Sequence, residues 1–222
     1  MLFLHQCLAV ARKDILLEVR TRYSLAATLA FLAASHLLLG LAIDASLWSP
    51  STRAGLFWML VIFSLLVGIG RLFSAETERH TSFLLQTALH PDAVFTGKFA
   101  AHVLYALPVV LLANALFYIL FNHIPVHAGA WLLLNTLSLL SFAALFTLLS
   151  AVASGAGVKG SVFAVLSIPL QIPLMLLLVR CSRYAYSTGW LEGSWGDFLA
   201  LGGFFGTIFT AGFLLFDAAW ES

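Results

Sequence analysis

Charge is what this sequence has least of. Only 9% of its 222 residues are Asp, Glu, Lys or Arg, against about a quarter in a soluble domain. Hydrophobic residues make up 61%, which excludes an ordinary water-soluble fold. No polar stretch exceeds the 28 residues from Arg71 to Lys98, so there is no room for a separate soluble domain. Cysteine is equally sparse, and neither Cys7 nor Cys181 has a metal-ligand or redox spacing. Met1–Val10 lacks a basic lead-in, and Arg12-Lys13-Asp14 follow the apolar stretch instead of preceding it, which predicts no cleavable signal. A phosphate-binding loop is missing too. The nearest candidate, Gly155-Ala156-Gly157-Val158-Lys159-Gly160-Ser161, has Lys and Gly in the wrong order and opens an apolar run. Ion-driven carriers place Asp, Glu or Arg inside their spans, and the apolar runs here hold none. A partner-driven machine component is the expectation.

What the chain does have is six charge-free apolar runs, roughly 24–43, 54–70, 103–121, 129–153, 161–179 and 198–216. A bilayer core about 30 Å thick needs about 20 helical residues. Lys159, within Ser154-Gly155-Ala156-Gly157 turn chemistry, divides the stretch from 129 to 179 into two helices. The runs predict an all-α membrane protein: one permease-like domain over residues 1–222 with six transmembrane helices. An amphipathic interfacial helix over 3–20 precedes them, and a cytoplasmic helical segment separates spans two and three. In the N-terminal helix Leu4, Leu8, Ala11, Ile15 and Val19 share a face, and Glu18 and Arg22 have ion-pair spacing. Eight Lys and Arg fall on the side of the N-terminus and the 71–98 segment, and three (Arg53, Arg180 and Arg183) on the other. The positive-inside bias puts both termini in the cytoplasm. Trp48, Trp58, Trp131, Trp190 and Trp195 are expected at the outer interface and Trp220 at the inner one, with the second span opening at Trp58.

The 71–98 segment mixes Glu76, Glu78, Arg79 and Gln86 with Phe83-Leu84-Leu85, the pattern of one or two short surface helices. Pro91 forces a break, and Asp92 is placed to cap the next helix. His123 and His127 flank Pro125, which interrupts the helix an i,i+4 metal pair would need, so a polar loop is the reading. His36 and His102 read as hydrogen-bonded packing residues. Asn114, Asn135, Thr136, Ser138, Ser141 and Gln171 read as polar contacts between helices, and Gly202 with Gly206 as a small-residue packing face. Pro169 and Pro173, four apart within one run, predict a permanent kink.

Ser167-Ile168-Pro169-Leu170-Gln171-Ile172-Pro173-Leu174 resembles the Leu-Pro-Leu-x-Ile-Pro-Leu stretch in the fifth span of CcmB proteins. These are permease subunits of the cytochrome c maturation (heme exporter) ABC complex. Phe73-x-x-Glu76 through Pro91 to Gly97-Lys98 is similar to the cytoplasmic segment of that family, with His80-Thr81 departing from its usual Gly-Ser/Thr step. The resemblance runs essentially the full length. It implies a non-catalytic permease in the bacterial inner membrane that binds no cofactor directly. ATP would act through a CcmA-like ATPase, and heme would be handled by the complex. CcmC-like and CcmD-like membrane proteins and a CcmE-like heme chaperone would be the other partners, with membrane lipid around them and no nucleic acid. Arg71, Phe73, Glu76, Glu78, Pro91 and Lys98 would couple to the ATPase. An exporter permease for another amphiphile and a non-transporting scaffold are the alternative readings. The topology has a direct check: reporter fusions at Ser46, His127 and Ser187 should all read as periplasmic, and one cytoplasmic signal removes the six-span arrangement.

Overall fold

A backbone that leaves water must satisfy its amides within its own segment or within protein, and a chain this apolar does so as helix. The computed structural model describes residues 2–21, 23–44, 48–78, 89–122, 124–155, 160–186 and 194–220. Those residues form seven helices and no strand: α1 (Leu2–Thr21), α2 (Tyr23–Ala42), α3 (Pro50–Glu78), α4 (Pro91–Phe121), α5 (Ala128–Gly155), α6 (Gly160–Tyr186) and α7 (Ser194–Trp220). Tyr23–Ala42, Pro50–Gly68, Pro91–Phe121, Ala128–Leu149 and Trp195–Phe216 are long and apolar enough to cross a membrane. The remaining run, 161–179, lies in α6, whose 27 residues extend about 40 Å.

Apolar runs mark membrane depth, not helix length, and the structure departs from the runs on that account. α3 begins at Pro50, ahead of the expected start at Trp58, and continues without interruption past Arg71 to Glu78. Residues 71–78 are therefore the end of a spanning helix and not a separate surface helix; Phe83-Leu84-Leu85 lie outside the described residues. α4 likewise starts at Pro91, with His90 in the N-cap position and extended (φ −70°, ψ 136°). Asp92 sits in the first turn and is not the cap. Proline suits that first position because its missing N–H would have no helical partner anyway.

The helices pack around α5. It contacts α4, α6 and α7, and Ser141 through Leu149 are buried at nine consecutive positions, as befits a helix apolar on every side. α2 sits at the edge: its buried residues are Ser24, Thr28, Leu32 and His36, one position in four. That stripe rests on α3 and α4. Within the core, Trp58 is fully buried and its indole N–H donates to Ser182 Oγ at 2.7 Å, joining α3 to α6. Trp48 packs on Phe121 with ring centroids 4.9 Å apart. The expected outer tryptophan belt is thus partly a buried aromatic cluster, because these indoles find partners inside the protein; Trp195 is exposed and Trp190 lies outside the described residues.

Asn114 and Asn135 do join helices, with the Asn114 amide donating to Asn135 Oδ1 at 2.9 Å and Trp131 Nε1 donating to Asn114 Oδ1 at 2.7 Å. Thr136 and Ser138 instead donate to their own helix, to Leu132 O and Asn135 O. Gly202 and Gly206 have nothing within 4 Å of where a Cβ would stand. They line an open face of α7; the glycine that admits a neighbour is Gly212, with Phe95 at 3.0 Å.

Candidate functional site

The start of α4 is where the two elements outside the apolar bundle converge. α1 crosses it at Gly97. A Cβ on that glycine would stand 2.7 Å from both the Cys7 carbonyl oxygen and Val10 Cβ, so only glycine permits the approach. Val10 is buried there with Val94, Phe95 and Phe216, tying α1 to α4 and α7. One turn on, Lys98 Nζ lies 4.0 Å from Asp14 Oδ2, and its side chain is 12% exposed. Lys13 meets the other oxygen of the same carboxylate at 2.9 Å. Glu18 is buried as well, and accepts the Leu25 N–H at 2.5 Å. That N–H belongs to the first turn of α2, where helix donors have no backbone partner. The Glu18 carboxylate therefore serves the α1–α2 elbow; its expected mate Arg22 lies outside the described residues.

α1 has two working faces as a result. Val10, Ala11 and Glu18 turn into the protein, while Leu4, Leu8 and Val19 stay exposed. A helix that keeps an apolar stripe free beside a membrane-spanning bundle suits the interface between lipid headgroups and acyl chains.

Of the residues assigned to ATPase coupling, Arg71, Phe73, Glu76 and Glu78 all fall on the last turns of α3, beyond the apolar run that ends at Gly70. Pro91 opens α4, and Lys98 lies two turns into it with its ammonium turned toward α1. Pro169 and Pro173 occupy one unbroken helix, α6, with both rings exposed and Gln171 buried between them. Each proline withholds an N–H from the carbonyl four residues earlier.

A further polar joint was not expected from the sequence. Tyr105 Oη lies 2.8 Å from Thr28 Oγ1 and 3.1 Å from Ser24 Oγ, and Ser24 Oγ donates to the Gly68 carbonyl at 2.9 Å. The signal available was a phenol, a serine and a threonine stranded in apolar runs, each needing a partner once buried.

The opposite end of the bundle is aromatic. A cavity of about 180 Å³ lies among Phe57, Asn114, Phe117, Tyr118, Trp131 and Tyr186. A cavity of about 150 Å³ suffices for benzene, and drug-sized ligands occupy about 300–1,000 Å³; this one admits a single ring and no macrocycle. Tyr184 donates to Asp197 Oδ2 at 3.0 Å and Arg180 stands 3.7 Å from Oδ1, closing α6 on α7. The bond to Asp197 raises the Tyr184 pKa. His36 Nδ1 donates to the Leu32 carbonyl and His102 Nδ1 bonds Thr147 Oγ1, both at 2.8 Å, in keeping with packing roles. His127 donates its backbone N–H to Ala185 O, fixing the α4–α5 connection on α6; His123 lies outside the described residues. No group of three metal-ligating side chains occurs among the described residues.

The docking of α1 is testable through Cys7, which is partly exposed, with fully buried Cys181 as an internal zero. Gly97→Leu has no space for its side chain and should lift α1, raising the alkylation rate of Cys7 severalfold in native membranes while Cys181 stays unmodified. Equal rates in parent and variant would show that α1 does not rest on Gly97.

No individually curated protein matches the chain. The family model described as CcmB protein matches residues 5–219 of its 222. That coverage takes in every helix of the bundle and both stretches whose residues carried the resemblance, so the chain belongs to the CcmB family, the membrane components of the heme exporter of cytochrome c biogenesis.

Proposed function

We propose that this chain is the permease subunit through which a partner ATPase drives the heme exporter, with ATP bound and hydrolysed on that partner and heme handled by the assembled complex. The observation that carries the reading is the continuity of α3. Its 29 residues extend about 43 Å, some 13 Å more than the roughly 30 Å a bilayer core requires. A helix that leaves the membrane without a break carries rigid-body motion from its tip into the span, which a flexible linker does not. The tip holds Arg71, Phe73, Glu76 and Glu78, the residues of the cytoplasmic segment on which the family resemblance rests.

Orientation follows from the same features. α1, with Arg12, Lys13 and Arg20, docks on the start of α4 beside Lys98, so cations of one set gather at one end of the bundle. Trp48, Trp58 and Trp131 gather around Phe57, Phe117 and Phe121 at the other. With the cationic end inward, both termini are cytoplasmic, the chain crosses the bacterial inner membrane six times, and α3 presents its tip to a CcmA-like ATPase. CcmC-like and CcmD-like subunits would complete the membrane assembly. ATP-driven motion passing through the spans would then release the heme-loaded CcmE-like chaperone.

Glu76→Lys combined with Glu78→Lys should sharply reduce co-purification of the ATPase and the yield of holocytochrome c, while membrane insertion stays normal because neither residue lies in the apolar part of α3. The same charges placed at Ser154 and Ser161, at the end of α5 and the start of α6, should matter much less. Full partner binding and normal maturation in the α3 variant would remove the lever and leave α1 as the better docking element.

A further inference from the structure

The hydroxyl contacts at Gly68 have only one consistent direction. Ser24 donates its single proton to the Gly68 carbonyl, so at its contact with Tyr105 it must accept. Tyr105 thereby spends its own proton on Ser24, and Thr28 has to be the donor at the 2.8 Å contact with the phenol. Protons run from Thr28 to Tyr105 to Ser24 to the backbone of α3, linking α2, α4 and α3 in one chain. Thr28 is fully buried, Ser24 is 6% exposed and Tyr105 7%. Space enforces the arrangement as strictly as bonding does. A Cβ on residue 68 would lie 1.9 Å from the Tyr105 hydroxyl oxygen and 2.2 Å from Thr28 Oγ1, so the phenol stands where any other residue would put its side chain.

The level of this joint is what gives it a role. Gly68 lies three residues before Arg71, where the apolar run of α3 ends, and the ten residues beyond Gly68 reach about 15 Å further. We infer that Tyr105, with Ser24 and Thr28, is the fulcrum of α3: a positioning joint that fixes the angle at which the helix leaves the bundle and so directs its tip. The inference rests on α3 being the lever of the proposed function. Side chains packed only by dispersion tolerate small rotations, whereas a hydrogen bond loses most of its strength as its angle closes toward about 120°. The Ser24 bond ties α3 to α2, and the two bonds to Tyr105 fix the phenol against Gly68, so rotation of α3 is resisted by α2 through bonding and by α4 through contact.

The test separates the joint from the lever. Spin labels at Ser74→Cys and Leu104→Cys, in a Cys7→Ser background, report the distance between the α3 tip and α4 in the complete complex; Cys181 is buried and stays unlabelled. Tyr105→Phe, Ser24→Ala and Thr28→Val should each broaden the distance distribution. Thr28→Ser, which keeps the donor, should leave it narrow. So should Trp58→Phe, which breaks a buried bond of the same kind at the far end of α3. In the three broadened variants ATPase co-purification should persist while holocytochrome c yield falls severalfold at equal protein level. An unchanged distribution in Tyr105→Phe overturns the fulcrum, and so does equal broadening in Trp58→Phe, which would mean general loosening. Broadening with a normal yield keeps the fulcrum and takes the lever role away from α3.

Discussion

Everything in this bundle depends on how few polar side chains it has and where each one is spent. In a bilayer core an unbonded polar group costs several kcal/mol, because no water replaces the missing partner. Apolar side chains give helices cohesion but little preference for one rotation over another. Directional bonds supply that preference. Trp58 to Ser182 sets α3 against α6, and the Trp131–Asn114–Asn135 network sets α4 against α5. His102 to Thr147 repeats the α4–α5 contact further along. Tyr184 and Arg180 on Asp197 close α6 on α7. The hydroxyl chain at Gly68 adds α2 to the set and links it to both neighbours at once.

Glycine completes the pattern by allowing contact at one end of the bundle. Gly97 admits α1 against α4, and Gly68 admits Tyr105 against α3. Both approaches involve α4, which therefore meets the interfacial helix and the emerging α3 within about two turns of each other. Neither glycine leaves room for a side chain: a Cβ would stand 2.7 Å from the Cys7 carbonyl oxygen at Gly97 and 1.9 Å from the Tyr105 hydroxyl oxygen at Gly68. Gly202 and Gly206 show the contrast: they have the same spacing that serves helix pairing elsewhere, yet no described atom of this chain fills the space above them.

Much of this was legible in the sequence. Runs without charge located the helices, and the proline pair with the Phe73–Lys98 segment carried the resemblance that the match over residues 5–219 bears out. Helix ends were less legible. Apolarity marks the lipid-facing stretch, and α3 and α4 remain helical through Arg71–Glu78 and Pro91–Lys98, where charged residues interrupt the apolar pattern. The burial of the tryptophans was beyond reach for a related reason: an indole suits an interface and a core equally, and only the position of Ser182, 124 residues away, shows Trp58 to be a core residue. Lys98 belongs with them. Its charge marks it as lying outside the apolar runs, but nothing local reveals that Asp14 holds it. Contacts between distant parts of the chain were beyond reach, and those contacts make the joint at Gly68.

The two ends of α3 are held differently, and the difference bears on which helix can yield. At Gly68 the helix accepts one hydroxyl bond, from Ser24 of α2, and a side chain there would collide with Tyr105 of α4 and Thr28 of α2. At Trp58 it is bound to α6 by a single indole bond within an aromatic cluster. α6 is the helix with Pro169 and Pro173 in its middle, where two backbone hydrogen bonds are missing within one turn. Their rings face outward, so Gln171, Leu174, Leu178 and Cys181 keep α6 packed inward while its outer side lacks the bonds that stiffen a helix. In the proposed lever role the two helices would be complementary: α3 would convey a displacement from beyond the membrane, and α6, lacking two backbone bonds, would take it up without breaking the core around α5.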